Sequence, residues 1–160
     1  MLIGVLSDTH LKYVTEEFRS LVGDRFSACD VVVHAGDFTA SSVYYDLNKE
    51  TDGKLLAVCG NMDSREIQKA FPRKRIVELE GFKLGLIHGG GSPYGIESRI
   101  RGEFDEVDAV VYGHTHAPAN HLVKNITFFN PGSPTRSFIH RATLGILHLG
   151  EKIEGEIIKI

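Results

Sequence analysis

The stretch VVYGHTHAP, residues 110–118, runs from an apolar segment through one glycine to two histidines. His114 and His116 are two residues apart, and side chains at positions i and i+2 of an extended chain point to the same side. Two imidazoles on one side pack poorly but form a good pair of metal ligands. The competing interpretation is a surface histidine beside a hydrogen-bonded core histidine, and these nine residues alone leave both open.

Four other apolar runs end in the same manner. The five runs are LIGVL (2–6), VVV (31–33), LLAV (55–58), LGLI (84–87) and AVVY (109–112), and they are followed by SDTH, HAGD, CGNMD, HGGG and GHTH. Runs without alternating polarity are typical of strands covered on both faces. In open α/β sheets, ligands bind at the carboxyl ends of the strands, where glycine allows a sharp turn. The five endings therefore predict one convergent site.

The candidate ligands at these endings are two carboxylates, one amide and four imidazoles: Asp8, His10, Asp37, Asn61, His88, His114 and His116. These are too many for one ion, and mixed nitrogen and oxygen ligands suit Mn, Fe, Co, Ni or Zn better than Mg or Ca. A carboxylate can bridge two ions about 3.5–4 Å apart. Without a metal, Asp8 and Asp37 would be turn residues and the histidines satisfied polar groups. Convergence of so many ionisable groups favours the metal.

Helical patterns separate the apolar runs, and strand patterns dominate after Gly113. The predicted strands of the second half are residues 121–124, 126–129, 143–149 and 152–160. Four helices are predicted. The first follows a cap at Thr15, and the second spans residues 41–50. The third starts in a capping box at residues 63–66 and stops before Pro72, and the fourth runs from Ser92-Pro93 to about Phe104. We expect an α/β (α+β) fold with two sheets between helices, in one domain over residues 1–160.

The composition is that of an ordinary globular protein and excludes some classes of function. The net charge is −3, which gives no support for a nucleic-acid or acidic-membrane partner. No apolar stretch approaches the roughly 20 residues of a spanning helix, and MLIGVLSDTH lacks the features of a signal peptide. Cys29 and Cys59 form no Cys-x-x-Cys motif and are expected to be buried thiols. We expect a cytoplasmic protein, and a homo-oligomer is compatible with the sequence.

In this order, SDTH, HAGD, GNMD, HGGG and GHTH resemble the motifs of the calcineurin-like metallophosphoesterase superfamily. The short chain and Asn130-Pro131-Gly132-Ser133 resemble its small single-domain phosphodiesterases of the YfcE type, over nearly the whole length. The resemblance implies two mixed β-sheets packed as a sandwich and flanked by α-helices. It also implies a first metal ion held by Asp8, His10, Asp37 and His116, and a second held by Asp37, Asn61, His88 and His114, with Asp37 as the bridge.

The activity implied by the resemblance is hydrolysis of small phosphodiesters by a hydroxide that bridges two divalent ions, with Asp37, Asn61 and His88 as catalytic residues. Mn²⁺ is the first expectation for the metal, and Ni²⁺, Co²⁺, Fe²⁺ and Zn²⁺ are alternatives. Two divalent ions, two carboxylates and one hydroxide leave one net positive charge, which suits an anionic substrate. The alternatives are a protein-interaction scaffold, as in a retromer subunit of this fold, and a phosphomonoesterase.

Met62 departs from the family pattern. Larger relatives have a histidine at this position that is proposed as the general acid, and a thioether cannot donate a proton. Expulsion of poor leaving groups is therefore expected to be inefficient. Asp63 could substitute as the acid, but the sequence favours a helix-capping role for it.

Other polar residues carry weaker predictions. His34 is either a buried hydrogen-bonded histidine or a residue that supports the ligands. His121, His140 and His148 are expected to be structural or on the surface. Residues 89–91 either present amides to a phosphate before a helix or simply make a sharp turn. Residues 73–75, Arg-Lys-Arg, favour a solvated charge run over a nucleic-acid patch, and Arg99, Arg101 and Arg136 are candidates to frame a substrate.

Overall fold

The computed structural model describes residues 1–135 and 140–160, so Arg136 lies outside the described residues. The elements, in chain order, are β1 (Leu2–Leu6), α1 (Glu16–Phe26), β2 (Val31–His34), α2 (Ser41–Glu50), β3 (Leu55–Ala57), α3 (Arg65–Ala70), β4 (Lys74–Leu79), β5 (Phe82–Ile87), α4 (Ile96–Arg101), β6 (Ala109–Val111), β7 (Ala119–Val123), β8 (Ile126–Asn130), β9 (Thr143–Leu149) and β10 (Ile153–Lys159). All five apolar runs form strands, as predicted.

The strands form two five-stranded sheets, with orders β10-β9-β1-β2-β3 and β4-β5-β6-β8-β7. Both sheets are mixed. In the first, β1, β2 and β3 are parallel while β9 and β10 are antiparallel. In the second, β5, β6 and β8 are parallel while β4 and β7 are antiparallel. The predicted fold class of two mixed sheets with flanking helices is confirmed.

Three apolar clusters account for this layering. Residues of β1 and β2, including Ile3 and Val33, pack against residues of β5 and β6, including Leu86 and Val111, in the space between the two sheets. The outer face of the first sheet is covered by α1 and α2, and that of the second by α4. Strands covered on both faces are apolar throughout, which explains why the runs lack alternation.

The loops that follow the parallel strands are tied to one another by backbone hydrogen bonds. Asp8 N–H donates to the carbonyl of Gly36 at 3.0 Å and His10 N–H to that of Asp37 at 3.0 Å. Within the second sheet, Gly113 N–H donates to the carbonyl of His88 at 3.2 Å. Between the two sheets, His114 N–H donates to Asp8 Oδ2 at 3.0 Å. The strand ends of both sheets therefore meet at one edge of the sandwich.

Two elements differ from the prediction. The edge strand β4 was not predicted, and its residues alternate between exposed and half-buried. The charged residues 73–75 lie just before it and at its start, where Arg73 and Lys74 are exposed and Arg75 is half-buried. The last helix was predicted to begin at Pro93 after a cap at Ser92, but it begins at Ile96 and ends at Arg101 rather than near Phe104. Gly95 precedes it in the left-handed conformation (φ 66°), so the backbone of residues 92–95 is still turning.

No helix in the described ranges has both the length and the apolar character needed to cross a membrane. The single domain over residues 1–160 and the cytoplasmic location stay predictions.

Candidate metal centre

The first group of predicted ligands comes together at the end of β1 and after β6. The two imidazole nitrogens His10 Nε2 and His116 Nε2 are 3.1 Å apart. Asp8 Oδ1 lies 3.3 Å from His116 Nε2 and 3.7 Å from His10 Nε2. Two donor atoms that each lie about 2.1 Å from one ion are separated by roughly 3–3.4 Å. The three side chains therefore fit a common ion.

The second group surrounds Asp37. Its Oδ2 atom lies 3.1 Å from His88 Nε2 and 3.8 Å from His10 Nε2, so it faces both groups. Its Oδ1 atom accepts a hydrogen bond from the Met62 N–H at 2.7 Å. Asp37 therefore offers a single oxygen between the two groups, which is the position of a bridging ligand. Asp8 Oδ1 also lies 3.8 Å from His88 Nε2, so it faces this group too.

Asn61 and His114 form the outer part of the second group. Asn61 Oδ1 lies 2.9 Å from His114 Nδ1, while His114 Nε2 lies 2.8 Å from the carbonyl oxygen of Gly91. If Nε2 donates to Gly91, a neutral His114 directs the lone pair of Nδ1 at the Asn61 oxygen. A cation held between Nδ1 and Oδ1 satisfies both atoms. The structure thus brings together all seven predicted ligands.

Two buried atoms of this cluster lack a hydrogen bond within the described ranges, namely Asp8 Oδ1 and His88 Nε2. The other atoms of the same side chains are satisfied. Asp8 Oδ2 accepts from Ser7 Oγ–H at 2.6 Å and from His114 N–H at 3.0 Å, and His88 Nδ1 donates to the Ala35 carbonyl at 2.8 Å. Buried polar atoms without partners are rare and costly. Here both face the same space, which fits a bound cation.

The charges of the site point the same way. Burial alone raises the pKa of Asp8, but the imidazoles of His10 and His116 outweigh it and hold that pKa well below its usual value. Burial also raises the pKa of Asp37, but His88 outweighs this effect, and the pKa of Asp37 is lowered. Burial lowers the pKa of His88, yet Asp37 outweighs this and the pKa is raised. Two buried carboxylates are thus kept ionised, and a metal ion can replace the protons that neighbouring imidazoles carry.

Left-handed backbone is concentrated at the predicted ligands. Positive φ angles occur at Asp8 (54°), His10 (47°), Asp37 (59°), His114 (70°) and His116 (56°). Asp, Asn and His enter this region several-fold more often than other non-glycine residues. Strained backbone of this kind clusters at functional sites.

Two further buried residues hold the ligand loops, and the sequence did not assign them clearly. His34 accepts the Gly36 N–H at Nδ1 (3.2 Å), so its Nε2–H donates to Thr9 Oγ1 at 3.2 Å. Burial lowers the pKa of His34 to about 3, so its ring is neutral. His34 therefore fits both readings of the sequence at once, a buried hydrogen-bonded histidine that supports the ligand loops.

The predicted capping role of Asp63 is wrong. Ser64 caps α3, since its Oγ accepts from the Ile67 N–H. The Asp63 carboxylate instead accepts three backbone N–H groups, from Gly60 at 2.7 Å, Thr39 at 2.7 Å and Asp37 at 3.0 Å. Only the folded chain brings those donors together, so no local sequence signal identifies this role.

A cavity of about 840 Å³ opens beside Asn61 and His88. Among its lining residues are three cations, Arg73, Lys74 and Arg99. Arg99 was a candidate to frame a substrate. Arg101, the other described candidate, is not among the lining residues and donates to the carbonyl of Phe104.

The remaining predictions concern histidines outside the cluster and the glycine loop. His121 pairs with Glu97 at 3.0 Å and stacks on Phe128, and His148 is exposed on β9, in line with structural or surface roles. Residues 89–91 make a turn that is not followed by a helix N-terminus, since α4 begins at Ile96. The amides of this loop therefore do not cap a phosphate in the predicted way.

Comparisons with known proteins agree with this geometry. Residues 1–152 match the model of the calcineurin-like phosphoesterase superfamily domain. The chain is similar to a "Probable metallophosphoesterase" of Methanothermobacter thermautotrophicus, with 38% identity over 99% of this chain and 92% of the relative. It is also similar to a solved archaeal phosphodiesterase, with 26% identity, complete coverage of both chains and a TM-score of 0.78.

A third likeness concerns the fold alone. Vps29 of Entamoeba histolytica, solved in complex with Zn²⁺, shares 20% identity over 99% of each chain, with a TM-score of 0.73.

The ordered strand endings, the clustered side chains and the match over residues 1–152 lead to one conclusion. The chain belongs to the calcineurin-like phosphoesterase superfamily.

Proposed function

We propose that this protein is a metal-dependent phosphodiesterase that hydrolyses small phosphodiesters at a dinuclear centre. The enzyme class expected from the sequence, a phosphoric ester hydrolase, is that of its family. Asp8, His10, Asp37 and His116 would hold one ion, and Asp37, Asn61, His88 and His114 the other. When bound, two divalent ions lower the pKa of a shared water, orient phosphate oxygens and stabilise developing charge. Mn²⁺ is the first candidate, and Ni²⁺, Co²⁺, Fe²⁺ and Zn²⁺ are alternatives.

The single observation that carries the proposal is the pair of buried atoms without hydrogen-bond partners, Asp8 Oδ1 and His88 Nε2. They lie 3.8 Å apart, and Asp37 Oδ2 lies 3.1 Å from His88 Nε2. Nothing in a purely structural role requires the chain to bury these atoms unsatisfied. A cation between them removes that cost.

The residues around the site contribute orientation rather than proton transfer. The Met62 N–H fixes one oxygen of Asp37, and the Ala35 carbonyl fixes the tautomer of His88. The Met62 side chain is 61% exposed and has no acidic proton. Asp63 uses both oxygens to accept backbone N–H groups, so it does not supply an acid either. The chain therefore favours diesters with good leaving groups over alkyl phosphomonoesters.

Metal titration tests the proposal. Protein stripped with a chelator should not hydrolyse bis(p-nitrophenyl) phosphate, and activity should return as Mn²⁺, Ni²⁺ or Co²⁺ is added up to two ions per chain. His88→Gln should lose the second ion and the activity, whereas the matched His121→Gln should keep both. Full activity without metal, or with one tightly bound ion, would contradict the dinuclear model.

If the protein is instead a protein-interaction scaffold, it should show no hydrolysis of phosphoesters. The likeness to Vps29 shows a shared fold, and no described contact favours a partner surface over the metal cluster. A chain that binds two ions yet hydrolyses neither phosphodiesters nor phosphomonoesters would favour the scaffold. A homo-oligomer stays a prediction.

A further inference from the structure

We infer that the substrate carries a second anionic group, a terminal phosphate on one ester arm, and that Arg73, Lys74 and Arg99 bind it in the cavity beside the metal site. The inference rests on the proposed function and names its substrate class. The cavity, about 840 Å³, has the size of a small-molecule site, and Asn61 and His88 form part of its wall. It is therefore continuous with the predicted second metal site.

Backbone contacts hold two of the three cations, Arg73 and Lys74, close to predicted ligands. The Pro72 carbonyl, next to Arg73, accepts the N–H of Cys59, two residues before Asn61. Lys74 pairs with Ile87 in the register of β4 and β5, and Ile87 precedes His88. The pairing of β4 with β5 sets the position of Lys74, and the bond between two loops sets that of Arg73.

Arg99 reaches the cavity from α4. Its guanidinium donates to the carbonyls of Tyr94 at 2.8 Å and Gly90 at 3.2 Å, and also to that of Ser92. These carbonyl partners leave its charge uncompensated. The loop it holds is the one whose Gly91 carbonyl contacts His114.

The charges of the lining do not balance. Lys74 pairs with Glu103 at 2.9 Å, which is the one carboxylate of the lining. Arg73 forms no hydrogen bond or ion pair with residues 1–135 or 140–160, and neither Arg73 nor Arg99 faces a carboxylate within ion-pair distance there. With three cations and one carboxylate, the lining carries an excess of two positive charges in a chain whose net charge is −3. The Arg73 guanidinium can bind phosphate oxygens through two parallel hydrogen bonds, while Arg99, which already donates to three carbonyls, contributes mainly its charge.

The apolar part of the lining completes the substrate description. The half-buried Ile87 and the edge of the buried Ile100 also line the cavity, so part of its wall can contact an uncharged part of the substrate. A nucleotide-like diester with a terminal phosphate has this pattern of charge and apolar surface.

A matched pair of substrates tests the inference: the p-nitrophenyl ester of thymidine 5′-phosphate, with and without a phosphate on the 3′-hydroxyl. With Mn²⁺, the phosphorylated ester should have a KM lower by about ten- to a hundred-fold, the effect of a charged hydrogen bond. Arg73→Gln should remove that preference, because the KM of the phosphorylated ester rises to that of the plain ester. Arg75→Gln, which removes the same charge outside the cavity, should keep the preference. Equal KM values for both esters, with turnover intact, would overturn the inference while the proposed function stands.

A binding measurement distinguishes failure of this inference from failure of the proposed function. Calorimetry with thymidine 5′-phosphate and thymidine 3′,5′-bisphosphate, in Mn²⁺ and in EDTA, needs no turnover. Tighter binding of the bisphosphate in both conditions, lost in Arg73→Gln but kept in Arg75→Gln, would support the inference even for an inactive protein. Equal affinities, or a preference that Arg73→Gln leaves unchanged, would overturn it.

Discussion

His88 Nε2 lies 3.1 Å from Asp37 Oδ2 without a hydrogen bond between them. The other atoms of both side chains are anchored, Asp37 Oδ1 by the Met62 N–H and His88 Nδ1 by the Ala35 carbonyl. The fold thus holds two potential ligands face to face and directs both into the same space. This arrangement leads to the first prediction.

Asp37→Asn should reduce metal binding from two ions to one or fewer and reduce turnover by more than the about 10–100-fold typical of residues that support a ligand. Asparagine tolerates the left-handed backbone at this position and still accepts the Met62 N–H, so the loss reports the bridging charge. Metal analysis of the dialysed variant together with its rate provides the check. Retention of two tightly bound ions would show that Asp37 is not the bridge.

Asp63→Asn should lower the free energy of unfolding by about 1–3 kcal/mol, because the new amide N–H₂ must face a backbone N–H donor, such as that of Thr39. Denaturant unfolding measures the loss, and Glu66→Gln on the exposed face of α3 serves as the control. The leaving-group dependence of the rate should not change. A specific loss of activity toward poor leaving groups would instead identify Asp63 as an acid.

His34→Leu should also destabilise the protein by about 1–3 kcal/mol, since it strands the buried Gly36 N–H. Turnover should fall by about 10–100-fold, because the loops after β1 and β2 lose a shared support. His148→Leu, on the exposed side of β9, should change stability by less than about 0.5 kcal/mol. Equal effects of the two substitutions in thermal unfolding and rate would remove the supporting role assigned to His34.

Met62→His should improve poor leaving groups more than good ones. Without a positioned acid, the rate for substituted aryl phosphodiesters should rise steeply as the pKa of the leaving group falls. A histidine that reaches the leaving oxygen should flatten this dependence, with a gain of up to about 10²–10⁴-fold. Met62→Gln is the matched control without an acidic proton.

A plot of log rate against leaving-group pKa for all three proteins measures the effect. A flat plot for the natural protein, without a pre-steady-state burst, would mean that an acid already acts in the site.

The sequence predicted the parts of this site that depend on buried strands. The runs at residues 2–6 and 109–112 are apolar because both faces of each strand are covered, and their polar ends meet because parallel strands finish at one edge. All seven candidate ligands could be named from this rule. The grouping of Asp8 with both sets of ligands depends on side-chain geometry that a linear pattern does not encode.

The features that the sequence missed are set by contacts between distant segments. β4 is an edge strand whose burial alternates, but its sequence, Lys-Arg-Ile-Val-Glu-Leu, does not alternate between polar and apolar residues, so the pattern did not predict a strand. The late start of α4 follows from Arg99, which binds the carbonyls of residues 90, 92 and 94 and stabilises a turn instead. Asp63 sits beside a good helix cap, and its donors lie up to 26 residues away.

The left-handed backbone at five of the predicted ligands has a consequence for how this protein can evolve. Each such residue costs about 1–3 kcal/mol, and glycine would relieve that cost while removing the ligand. Substitution of His114 or His116 by glycine should therefore raise the thermal stability of the chain and remove a metal ligand. Selection for stability alone would remove these ligands, so a lineage that keeps them is under selection for the activity of the site.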